Sequence, residues 1–95
     1  VRWLWDEAKN VANQRKHRLS FETAQLVFDD PVAASRLDEH PDGDRWQTVG
    51  QVGTVILLVV HTCPEIETSE EETGRIISAR RATAHERKAY EEGEF

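Results

Sequence analysis

The chain has 95 residues, enough for one domain, spanning 1–95, built on a single core. Its hydrophobic fraction is 38% and its charged fraction 32%, yet three Trp, three Phe and one long aliphatic run point to a folded domain over disorder. A net charge of −6 argues against a general nucleic-acid binder, lone Cys63 excludes an internal disulfide, and the absence of a signal segment or membrane-length apolar run predicts a cytoplasmic protein.

Arg2-Trp3-Leu4-Trp5 is short, aromatic and apolar, and predicts a first strand. Asp6 is placed as an N-cap, with Glu7 in the first turn favourable to the helix dipole. The helix then runs from Glu7 to about Lys16. Ala8, Val11 and Ala12 form its apolar face, while Lys9, Asn10, Asn13 and Lys16 share much of another. Ser20 caps a second helix whose stripe is Phe21, Ala24, Val27 and Phe28; Asp30-Pro31 stops it. Val32 to Leu37 predicts a strand, followed by a polar turn from Asp38 to Asp44. Trp46 to Val52 is the next strand, and Gly53 marks a tight reversal. Thr54 to His61 is nearly all apolar, the mark of a central strand covered on both faces. An acidic loop, Cys63 to Thr73, leads to a last strand from Gly74. Thr83 and Glu86 form a capping box, so a final helix begins at Ala84. The order is β-α-α-β-β-β-β-α. Reversals this short favour antiparallel pairing, giving an α+β fold with helices packed on a sheet.

Charge is unevenly spread along this order. Pro64 to Thr73 holds five acids and no base, whereas Gly74 to Tyr90 holds five bases and one acid. A basic patch therefore lies beside an acidic loop. Arg80 and Arg81 fall where the last strand meets the last helix, with Arg75 upstream and Arg87-Lys88 downstream. Guanidinium donors match phosphate oxygens and stay charged at any working pH.

Several stretches carry a family resemblance. Trp5-Asp6-Glu7-Ala8-Lys9-Asn10, Asn13, Lys16-His17, Ser20-Phe21-Glu22 and Val27-Phe28-Asp29-Asp30-Pro31 belong to it. So do Arg45, Gly50, Val59-Val60-His61-Thr62, the run from Arg75 to Thr83, Glu86-Arg87 and Tyr90. Together they resemble the BrnT toxins, over almost the whole chain and in the same order. The resemblance implies a RelE-like fold and a compact endoribonuclease that cuts RNA without metal and halts translation. It also implies a BrnA-like antitoxin with a DNA-binding domain, DNA being reached only through that partner. One stretch departs from the family: the hairpin after His61-Thr62 is long and acidic here, where the family's is usually short and basic or neutral.

Metal-free RNA cleavage needs a base for the 2′-hydroxyl proton, cations for the charged phosphorane and an acid for the leaving 5′ oxygen. His61 suits a proton role, because an unperturbed imidazole titrates near neutrality; the alternative is a strand-end histidine bonded to a nearby carbonyl. Of Arg80 and Arg81, alternation along a strand predicts that one faces the site while the other pairs with an acid, Glu86 or one from the loop. Lys16 and His17 either assist the chemistry or only complement the helix C-terminus. Arg75, Lys9 and Arg87 complete the expected RNA-binding set. Tyr90 either donates to RNA or packs against the sheet, and Trp3, Trp5 and Trp46 either stack bases or, as aromatic residues in strands usually do, belong to the core. Four histidines and one cysteine show no zinc-ligand spacing, so neither metal nor cofactor is expected. A second reading, favoured by the acidic loop and negative charge, is a non-catalytic toxin relative that grips its partner and tunes operon repression.

Overall fold

A computed structural model describes residues 1–41, 43–66 and 70–95. Asp42 of the polar turn and Glu67 of the acidic loop lie outside the described residues. The elements are β1 (Arg2–Leu4), α1 (Glu7–His17), α2 (Phe21–Ala24), a 3-10 turn (Gln25–Asp29) and β2 (Ala34–Leu37). Then follow β3 (Trp46–Val52), β4 (Val55–His61), β5 (Glu65–Ile66), β6 (Glu72–Arg81) and α3 (Ala84–Glu92). The fold is α+β: one sheet in the order β1-β6-β4-β3-β2, with β5 attached to β6.

The sheet departs from expectation in two places. The later strands pair antiparallel, as their short reversals demand, but β1 lies parallel to β6. The whole of α1, α2 and the middle strands intervenes between them, so the chain has length enough for a parallel crossover. The acidic loop also contributes strand: Glu65 and Ile66 pair with Thr73 and Glu72, and β6 begins at Glu72. Gly74 makes the β1 pairing possible, because a Cβ there would lie 2.4 Å from Trp3 Cζ3.

Phe21, Ala24, Val27, Leu57, Val59, Ile76 and Ala79 form the buried core on the α1–α2 side, with Trp3, Trp5 and Phe28 packed against it. The expected second helix is split, since an α-turn to Ala24 continues as the 3-10 turn. Gly50 lets that turn settle on β3: a Cβ there would lie 2.9 Å from the Val27 carbonyl oxygen.

The expected face of α1 is reversed. Ala8, Val11 and Ala12 point to solvent, and the residues it buries are Asn10 and Asn13. Asn13 donates to the Ala79 and Leu19 carbonyls and accepts from Ala79 N–H. Asn10 accepts from Phe21 N–H and donates to Glu7 and Glu22. Both amides thus satisfy backbone that apolar side chains would leave unpaired.

α3 covers the opposite side of the sheet. Its capping box forms as the sequence predicts, and Gly93 closes it in the left-handed conformation. Tyr90 donates to Asp30 at 2.5 Å, and Asp30 also accepts from Val32 and Gln51 N–H. These bonds hold the Asp30 carboxyl below its ordinary value and push the Tyr90 phenol up to about 12.

Candidate nucleic-acid interface

A β-bulge decides which arginine meets which helix. Val60 pairs with Ser78 and His61 with Ile76, so Ile77 is an extra residue on β6. Gly74 and Ile76 face the α1–α2 side before it, and Ala79 and Arg81 face that side after it. Arg80 is therefore turned toward α3.

Arg81 reaches a cleft of about 180 Å³ at the C-terminus of α1, lined by His17, Arg18, Leu19, Thr23, Val52, Val55, Leu57 and Arg81. The local chain builds it. α1 ends at His17; Arg18 takes a left-handed conformation (φ 55°) and donates its N–H to Gln14 O. The reversal turns Leu19 toward the core and lets Ser20 cap α2. The cleft's floor is aliphatic, three of its rim groups are basic, Thr23 adds a hydroxyl, and no acid lines it. Lys16, exposed beside His17, adds a further cation. Some of this charge complements the α1 dipole, but Arg81 comes from another element and brings a guanidinium fork. Such a surface attracts a phosphate, and its aliphatic floor strengthens that attraction relative to bulk water.

Arg80 is already engaged. Its two terminal nitrogens donate to the Glu86 carboxylate at 2.7 and 2.9 Å, and Nη1 also reaches Arg81 O. Glu86 accepts the Thr83 N–H as well. The Arg80 hydrogen bonds hold the Glu86 carboxyl down at about 2, and Glu86 raises Arg80 in turn. The expectation that one arginine pairs with an acid is thus met by Arg80.

His61 is only 4% exposed and abuts the stacked Trp3 and Phe28 rings, edge-on to each at 5.0 Å. Its Nδ1 lies 2.7 Å from Thr62 O, and a carbonyl only accepts, so Nδ1 carries the proton. Nε2 then accepts from the Thr48 hydroxyl at 2.6 Å, and Thr48 accepts from Ser35 at 2.6 Å. Burial lowers the imidazole pKa, opposed by the Thr62 carbonyl and by Asp44. His61 also borders a cleft of about 500 Å³ with Trp3, Leu26, Phe28, Asp29 and Ser35. It lies four residues along β4 from Leu57, ~13 Å at strand rise, and is therefore not brought to the Arg81 cleft.

The other expected RNA-binding cations lie apart. Arg75 is near the opposite end of β6, in a small cleft with Asp44 and Glu65. Lys9 is exposed on α1, ~12 Å before His17 at helical rise. Arg87 is exposed on α3, the helix on the other side of the sheet. Of the expected residues, the structure gathers His17 and Arg81, with Lys16 adjacent. It adds Arg18 and Thr23, which sequence reasoning passed over. A sharper reading of the Lys16-His17-Arg18 run, a basic stop just before a capping serine, would have found Arg18. Among the described residues, no cluster of three or more His, Cys, Asp or Glu could hold a metal ion.

The structure is thus an α+β domain with an acid-free basic cleft at the α1 C-terminus. The family whose model matches residues 5–86 is described as "Ribonuclease toxin, BrnT, of type II toxin-antitoxin system". The chain belongs to this family, and with it to the ribonuclease toxins of type II toxin–antitoxin systems. No curated protein matches it. The match includes every residue lining the Arg81 cleft.

Proposed function

We propose that this toxin is a metal-independent endoribonuclease that seats RNA phosphate in the His17–Arg18–Arg81 cleft and so inhibits translation. The reading rests on one observation: a guanidinium fork and an imidazole from different elements converge on a pocket without an acid. The 2′-oxygen attacks phosphorus while its proton passes to the His17 imidazole. The P–O5′ bond breaks, and the leaving oxygen takes a proton from Lys16 or from the newly charged imidazole. The products are a 2′,3′-cyclic phosphate and a 5′-hydroxyl. Arg81 and Arg18 hold the extra charge that builds on the phosphorane. His17 is favoured over His61 for the proton because His61 is only 4% exposed and both its ring nitrogens are already bonded, to Thr62 O and the Thr48 hydroxyl. A BrnA-like antitoxin with a DNA-binding domain neutralises the toxin, and DNA is met only through that partner.

The test is purified protein on single-stranded RNA with excess chelator. Cleavage leaving cyclic phosphate ends, lost in Arg81→Ala and in His17→Ala, is expected. One lost charged hydrogen bond, about 1.5–3 kcal/mol, weakens RNA binding roughly tenfold or more. Full cleavage by a folded double variant would move the site elsewhere. Intact RNA at high wild-type concentration would favour the non-catalytic reading, which the Glu86-bound Arg80 and buried His61 support.

A further inference from the structure

β2 ends the sheet, and no described strand pairs along its outer side. Asp38 N–H donates to Arg45 O, in register with the β2–β3 ladder. In an antiparallel pair these bonds alternate, so Ala34, Arg36 and Asp38 face β3. Ser35 and Leu37 therefore direct N–H and C=O outward. Such an edge is a template for another strand unless it is charged, bulged or covered.

This edge is lined with apolar groups. Leu37 is 57% exposed, Val32 67% and Leu26 45%. Leu26 and Ser35 border the cleft of about 500 Å³, whose walls include the stacked rings of Trp3 and Phe28. A side chain from an added strand would find an apolar seat beside the backbone bonds it makes. Acids flank both ends of β2: Asp29 before it, Asp38 and Glu39 after it, and Asp44 across the turn. Two cations lie nearby, Arg36, bonded to Gln47 and over the Phe95 ring, and Arg45, opposite Asp38, so the four acids stay in excess.

We infer that the β2 edge, with its adjoining aromatic cleft, is the docking surface for an extended antitoxin segment that alternates apolar and basic residues. The segment adds as a strand outside β2, donates to and accepts from Ser35 and Leu37, and drops one apolar side chain against Trp3 and Phe28. Charge selects this occupant. A second copy of the chain would bring the same acids against one another, and RNA would bring phosphate to them. A basic peptide meets them with opposite sign. The inference rests on the antitoxin partnership proposed above.

The experiment uses intact toxin and the antitoxin encoded beside its gene. Amide hydrogen exchange is followed with and without antitoxin, and binding is measured for Leu37→Pro and Leu26→Asp. Leu37→Pro removes an outward N–H and leaves the β3 ladder intact. Protection of the Ser35 and Leu37 amides is expected, with at least tenfold weaker binding in both variants and wild-type binding in Arg81→Ala. Leu37→Pro and Leu26→Asp should each still cut RNA and should no longer be neutralised. If antitoxin binds while those amides exchange as in free toxin, the docking surface is wrong and the partnership stands. If antitoxin does not bind wild-type toxin at all, the partnership falls and the inference with it. The exchange result decides the matter even where a variant fails to fold.

Discussion

The Arg80–Glu86 pair makes a sharp prediction because it separates a structural arginine from the one proposed to bind RNA. Glu86 is 9% exposed and its carboxyl sits at about 2, against an ordinary 4.5. That gap corresponds to at most ~3 kcal/mol of folding free energy. The Arg80 side chain is 37% exposed, so solvent screening reduces the figure to about 1–2 kcal/mol. The sign follows from the lowered folded value. The stabilisation is complete above 4.5, where the unfolded carboxyl is also ionised, and is lost as pH falls from 4.5 through about 2.

Glu86→Gln removes the charge but keeps a carbonyl oxygen for Thr83 N–H, so the capping box survives. Urea unfolding of wild type and variant at several pH values measures the difference. A deficit of about 1–2 kcal/mol at neutral pH, shrinking steadily below 4.5, is expected. A deficit that does not change with pH would refute the charge argument. RNA affinity should be unaltered, because Arg80 faces α3. A gain in RNA affinity on freeing Arg80 would show instead that Glu86 masks a phosphate ligand.

Two other substitutions probe what holds α1 and β1 to β6. Asn13→Ala leaves the Ala79 amide and carbonyl without their side-chain partner and should cost about 2–4 kcal/mol in urea unfolding; a loss under 1 kcal/mol would mean that water replaces the amide. Gly74→Ala sets a methyl against the Trp3 ring and should cost about 1–3 kcal/mol, with tryptophan fluorescence shifted as β1 moves off β6. An unchanged spectrum and melting temperature would show that the ring has room to swing away.

Much of the fold was legible because local chemistry and tertiary structure agree. Asp6, Ser20 and the Thr83–Glu86 box cap the three helices, and the aliphatic run at 55–61 is the buried middle strand. The misses share one cause, side chains whose roles are set by distant backbone. Periodicity assigned Ala8, Val11 and Ala12 to the apolar face of α1. Asn10 and Asn13 are nonetheless the buried pair, because Phe21 and Ala79 need hydrogen-bond partners that no apolar group supplies. The parallel seat of β1 was hidden because it depends on Gly74 being small beneath Trp3. Within the candidate site, His17 and Arg81 were visible as residue types. The bulge at Ile77 was not, since nothing in Ile76-Ile77-Ser78 marks an extra residue. Simple alternation from Ile76 would have turned Arg80, not Arg81, toward α1.

The bulge also bears on how an acidic molecule can take a polyanion. It delivers Arg81 to the α1 C-terminus, while Arg80 is neutralised by Glu86 and Arg75 lies among acids. Positive charge is thereby concentrated at one end of β6, and the β2 edge keeps its acids. β6 and β2 are three strand steps apart, ~14 Å at the usual interstrand spacing. On the proposed reading, RNA and a basic partner strand would address different places on one sheet. A segment that only augments β2 leaves the Arg81 cleft open. To block the cleft, the same antitoxin must extend beyond the strand it adds, across a helix or around the sheet's end. Neutralisation is then a matter of reach as well as affinity: a peptide confined to the β2 edge should bind the toxin and still let it cut RNA.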